Sequence, residues 1–137
     1  MSLATAALRQ IESRLPKIIS PTTHGIIDYC HSAFFATFAV ICWKRNKPAA
    51  IAAAGTSALV LVQSLLTDYK PGVKRVLPFS IHGQIDGGFA VLSLAIPKTF
   101  GFAGTKAAKV FQANALVEAT VVGLTDWSDV RARAEEQ

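Results

Sequence analysis

The 137-residue chain is 51% hydrophobic and only 17% charged, well below the roughly 25% charged residues usual in a soluble domain. Its formal net charge of +5 comes from basic residues gathered in short clusters between long apolar stretches. That spacing excludes the continuous basic face of a nucleic-acid binder and matches loops at a membrane surface.

The first twenty residues contain SLATAALRQIESRL. Leu3, Ala7, Ile11 and Leu15 recur every fourth residue, while Arg9, Glu12 and Arg14 face away. The pattern predicts a short amphipathic helix lying in a membrane interface. No apolar run of the secretory-signal type occurs there.

Four apolar segments follow. The first runs from Thr23 to Trp43 and ends at KRNKP. The second runs from Pro48 to Tyr69, and its 20 residues from Pro48 to Thr67 carry no charge, the length a helix needs to cross a hydrocarbon core. The third, Pro78 to Pro97, holds His82 and Asp86 among apolar neighbours. The fourth, Lys106 to Trp127, holds Glu118. Pro48 and Pro78 sit where helices start, and KPGVKR reads as a turn. Trp43, Tyr69 and Trp127 fall at segment ends, as interfacial aromatics do. A soluble bundle would need a polar stripe on each helix, which AAIAAAGTSALVLVQSLL lacks. Its small residues, Ala49 to Ala58, suit close helix contact within a bundle or between copies of the chain. Cys30 and Cys42 lie roughly 18 Å apart on one helix, too far for a disulfide.

The segments repeat. THGIIDY and SIHGQIDGG place His24 and His82, and Asp28 and Asp86, 58 positions apart; LLTDY and GLTDW place Asp68 and Asp126 at the same offset. Each unit reads as a helical hairpin, with HGxxD opening its first helix and LTD plus an aromatic closing its second. The expected fold is all-α: an integral membrane four-helix bundle over 21–127, made of tandem hairpins 21–70 and 78–127. The hairpins are parallel repeats about a pseudo-two-fold axis along the membrane normal. An interfacial helix over 1–20 precedes them and a charged tail over 128–137 follows.

This topology brings His24, Asp28, Asp68, His82, Asp86 and Asp126 toward one membrane face. Residues four apart share a helix side, so both groups of each HxxxD can reach one ion. Buried charges in hydrocarbon must be paired, hydrated or used, and three readings follow. In the first, His24, Asp28, His82 and Asp86 are inner ligands of a divalent metal such as Zn, Fe or Mn, as His and carboxylates are in helical bundles, with Asp68 and Asp126 either ligating it or standing just behind those ligands. In the second, Asp28, Asp86 and the deeper Glu118 serve a metal-free acid–base enzyme acting on a lipid-soluble small molecule. In the third, the cluster is a polar clasp in a structural or partner-binding membrane protein. His31 is replaced by Phe89 in the second unit and falls outside the repeated set. No nucleophile elbow or phosphate loop occurs.

These motifs, together with the run SLLTDYKPGVKRVLPF, the stretch PKTFGFAG and ALVEATVVGLT containing Glu118, resemble the small four-helix bacterial membrane proteins of the SPW-repeat type, over about Thr23 to Thr125. The Ser-Pro-Trp signature itself is missing: Ile96 and Lys98 flank Pro97, and WKRNKP stands in the first half. The resemblance implies a bacterial inner-membrane location and a recurrent polar set of His24, Asp28, Asp68, His82, Asp86 and Glu118; it implies no catalytic role. The cluster face carries eight Lys and Arg and the opposite face six, which assigns the termini to the cytoplasm.

Overall fold

The computed structural model describes residues 14–135. The helix predicted near the N-terminus falls largely on residues outside this range. Within it, residues 14–20 are not helical.

Helix α1 spans Pro21–Cys42. Ser20 caps it, its Oγ accepting from the Thr23 amide at 3.2 Å, and Pro21 fits the first turn, where no amide partner is needed. Helix α2 spans Lys47–Leu66, capped by Asn46, which accepts from the Ala49 amide at 3.2 Å. Helix α3 spans Phe79–Thr99 after Pro78, and α4 spans Lys106–Leu124 behind the Thr105 cap. A six-residue helix, α5, covers Asp129–Ala134. The chain is all-α, with α1 and α2 packed as one hairpin and α3 and α4 as a second.

The distribution of polarity is inverted relative to a water-soluble bundle. Ile26, Phe34, Val40 and Ile41 of α1 face outward, as do Val91, Leu92 and Leu94 of α3 and Leu116 and Val117 of α4. Buried inside are His24, Asp28, Ser32, Gln63, Ser64, His82, Asp86 and Ser93. Away from the polar cluster, Phe35, Phe102 and Phe111 pack among Ala39, Ala49, Ala52, Ala53, Ala107 and Ala108; the alanines let the backbones approach closely. Ser32 and Ser57 each donate to the other's carbonyl, at 3.0 and 2.8 Å. Among the described residues, α1 and α2 are long and apolar enough to cross a membrane. The sequence led us to expect four such helices. In α3 the polar groups His82, Gln84 and Asp86 lower the apolar character, and in α4 Gln112, Asn114 and Glu118 do the same.

The hairpins join by reciprocal contacts. The Ile19 amide donates to the Leu124 carbonyl at 3.1 Å and the Asp126 amide to the Ile19 carbonyl at 3.0 Å. At the 58-residue offset, the Leu77 amide donates to Leu66 at 2.9 Å and the Asp68 amide to Leu77 at 2.8 Å. The strand leading into each hairpin is thus held by the end of the other.

Helix α5 lies within the charged tail expected over 128–137. Its Ala132 is fully buried, and its two ends cap two helices. Glu135 accepts from the Thr22 amide at 2.9 Å and the Thr22 hydroxyl at 2.6 Å. Asp129 accepts from the Ser80 amide at 2.9 Å and the Ser80 hydroxyl at 2.8 Å. Thr22 and Ser80 are again 58 apart. Each carboxylate therefore sits at the positive end of a long helix. Partial burial pushes the Glu135 carboxyl up, but the Thr22 hydrogen bonds and then Arg131 outweigh it, and the group ends below its ordinary value. A depressed carboxyl stabilises the fold above its unfolded pKa, and this stabilisation is lost as pH falls through the folded value. Replacing Glu135 by Gln should cost about 1 kcal/mol near neutral pH, the usual worth of a helix cap. The melting-temperature gap between wild type and E135Q should close as pH drops from about 5 toward 3. A gap that stays constant over this range would show that the carboxylate form plays no part.

Candidate metal centre

His24 and Asp28 lie on one side of α1, and His82 and Asp86 on one side of α3, because residues four apart stack on a helix face. Helix ends joined as above turn these two faces together. One ligand atom from each of the four residues lies within 4.8 Å of all the others. All four side chains are buried, the histidines 1% exposed and the aspartates 5% and 6%. His24 Nε2 lies 3.4 Å from Asp28 Oδ1 and 3.1 Å from Asp86 Oδ2. His82 Nε2 lies 3.2 Å from Asp28 Oδ2 and 3.0 Å from Asp86 Oδ2.

The outer nitrogens fix the tautomers. Thr125 Oγ1 donates to the Val121 carbonyl at 2.7 Å and Thr67 Oγ1 to the Gln63 carbonyl at 2.7 Å. Each hydroxyl has spent its proton, so each threonine oxygen accepts from a histidine Nδ1–H: His24 to Thr125 at 3.0 Å and His82 to Thr67 at 2.6 Å. Both Nε2 atoms then face the centre. His82 Nε2, despite its two close carboxylate oxygens, makes no hydrogen bond of acceptable geometry. His24 Nε2 is in hydrogen-bond contact with Asp86 Oδ2 at 3.1 Å. With the far N–H anchored, each Nε2 can meet the carboxylates as a lone pair aimed at a cation, the arrangement metal-binding histidines adopt, or as a second N–H.

The carboxylates are oriented from outside. Gln63 Nε2 donates to Asp86 Oδ1 at 2.6 Å. Ser64 Oγ and Tyr69 OH donate to Asp28 Oδ2 at 3.1 and 3.4 Å. Trp127 stands edge-on to His24, ring centres 4.6 Å apart, and Tyr69 lies 5.9 Å from His82. The glycine of each HGxxD makes room for these rings. A Cβ on Gly25 would come within 2.7 Å of Tyr69, and one on Gly83 within 2.6 Å of Trp127.

Two of the expected ligands do not reach the centre. The chain leaves its helix at Thr67 and Thr125, so the threonine of each LTD points inward and the aspartate points toward α5. Asp126 pairs with Arg131 at 2.9 Å and Asp68 with Arg133 at 3.7 Å. Glu118 also stands apart from the four. Its Oε2 lies 3.4 Å from His31 Nδ1, a histidine that sequence reasoning set aside because Phe89 replaces it in the second unit. Gln63, Ser64 and Tyr69 were missed as partners of the aspartates; Gln63 and Ser64 have the unreactive counterparts Val121 and Val122, so the repeat gave no signal for them.

Comparison with family models, curated proteins and solved structures finds no match. The four groups could hold a metal ion, and two outcomes test the geometry around them. Gly83→Ala should destabilise the fold by ~1–3 kcal/mol through overpacking against Trp127, seen as a lowered melting temperature. Thr67→Val, which strands the His82 Nδ1–H, should weaken metal retention by roughly 10- to 100-fold in a chelator competition; retention equal to wild type would remove the threonine from the centre.

Proposed function

We propose that the chain is an integral membrane protein whose four long helices hold a divalent transition-metal ion between His24, Asp28, His82 and Asp86. The observation that carries the metal reading is the convergence of two imidazole nitrogens and two carboxylates in a buried volume, with both outer N–H groups committed to threonines. Two neutral imidazoles and two carboxylates leave a charge of −2 in an apolar bundle, and a divalent ion cancels it. An N₂O₂ set of this kind suits Zn²⁺ at four coordinates, or Fe²⁺ and Mn²⁺ where a further oxygen ligand completes the shell. Outward-facing Ile, Leu, Val and Phe around a polar interior support the membrane reading, because lipid reverses the sidedness that water imposes. The likeness of the HGxxD and LTD motifs to the SPW-repeat membrane proteins points the same way.

A second balanced state exists. Two imidazolium ions paired with the two carboxylates also sum to zero, and this state is a metal-free acid–base centre or clasp. Elemental analysis separates the two. Protein purified in detergent after metal-replete expression should carry one transition metal in near-stoichiometric amount, and the Asp28→Asn, Asp86→Asn double variant should lose it while remaining folded. The amide oxygens still accept from Ser64 and Gln63, so the packing is kept. Wild-type protein with metal near zero overturns the metal reading. Alkaline carbonate washing tests the membrane reading: the protein should stay with the membranes, and release into the wash would overturn it.

A further inference from the structure

A cavity of about 580 Å³ opens between α1 and α4, within the range of small-molecule sites. At one end it reaches His24 and Asp28; at the other it ends by Phe34 and Lys109. From Lys109 to Val121 is twelve residues of α4, or roughly 18 Å of helix, so the space is elongated along the bundle. Its walls are apolar except at one point midway, where His31, Asn114 and Glu118 meet. There His31 Nδ1 faces Glu118, while His31 Nε2 is buried and has no hydrogen-bond partner among the described residues. The positions related to His31 and Glu118, Phe89 and Val60, are apolar, and Asn114 is matched by Thr56. The His–Glu pair therefore exists on one side of the bundle alone. On the other side, between α2 and α3, Gln63 extends to Asp86; its counterpart Val121 lines the cavity and leaves it open.

We propose that this cavity binds an elongated, lipid-soluble molecule bearing a hydroxyl group, with the hydroxyl at the point where His31, Asn114 and Glu118 meet and the apolar chain along the α1–α4 crevice. The hydroxyl is the chemistry the site selects. That point offers an imidazole, a carboxamide and a carboxyl, which between them present both donors and acceptors. A hydroxyl serves both roles, whereas a ketone serves one. The proposal is independent of the metal centre, although the pocket's inner end lies against it.

Cys30 lines the cavity and is exposed, whereas Cys42 is buried, so the protein carries its own reporter. In lipid nanodiscs, on a Cys42→Ser background, alkylation of Cys30 by N-ethylmaleimide is followed by mass spectrometry with increasing decanol or decane. Decanol should protect Cys30 at concentrations roughly three- to ten-fold lower than decane, the worth of one buried hydrogen bond. In His31→Phe, the residue found at the related position 89, the preference should vanish. Equal protection by the two probes in wild type, no protection by either, or a preference that survives in His31→Phe each overturns the proposal. Metal content measured on the same samples keeps the two readings apart: preference without metal sinks the metal reading alone, and metal without preference sinks this one.

Discussion

The structure depends on how four ionisable groups are kept inside an apolar bundle. A lone carboxylate in such surroundings costs several kcal/mol. Here two carboxylates and two imidazoles share one small volume, and every outward-facing polar atom of the set has a named partner. Thr67 and Thr125 hold the imidazoles; Gln63, Ser64 and Tyr69 hold the carboxylates. The remaining atoms, among them the unpartnered His82 Nε2, point to the middle. The outer shell thus does two things at once. It removes the freedom by which the aspartates could turn away, and it concentrates the remaining charge where a cation can answer it.

The repeat made the centre legible. His24, Asp28, His82 and Asp86 announce themselves by a shared 58-residue offset, and the hairpin topology follows from where HGxxD and LTD fall in each unit. The same reasoning drew Asp68 and Asp126 toward the centre, whereas they pair with Arg133 and Arg131, because residues adjacent in a motif need not face the same way. One residue beyond the last helical turn, the backbone becomes extended and the side chain reverses side. Thr67 stays inside and Asp68 does not. The non-repeated residues were legible only in part. His31 and Glu118 were visible as titratable groups in apolar segments, but their pairing depends on the angle between α1 and α4, which no local pattern encodes.

Duplication and departure from it divide the labour. The groups that converge on the centre, the threonines that anchor them and the aromatics that wall them occur twice. The groups that distinguish one flank from the other occur once: Gln63 closes the α2–α3 side, and His31 and Glu118 furnish the α1–α4 side. A paired framework supplies the buried charge compensation, and the single-copy residues decide from which direction the centre is approached.

Helix α5 also occurs once, yet it serves both halves. Its sequence, DVRARAE from Asp129 to Glu135, reads alike in chemical class from either end: acid, apolar residue, arginine, alanine, arginine, alanine, acid. Asp129 and Glu135 reach the starts of α3 and α1, Arg131 and Arg133 reach the aspartates that follow the two threonines, and Ala132 lies buried at the point of reversal. A mirrored pattern of side chains lets one short helix meet two equivalent seats. It also ties the two hairpins together at the face nearest the centre: Glu135 adds to the Ser20 cap of α1, and Asp129 supplies the carboxylate at the start of α3, which has no side-chain cap of its own from Pro78. Loss of this one short helix would loosen both seats together.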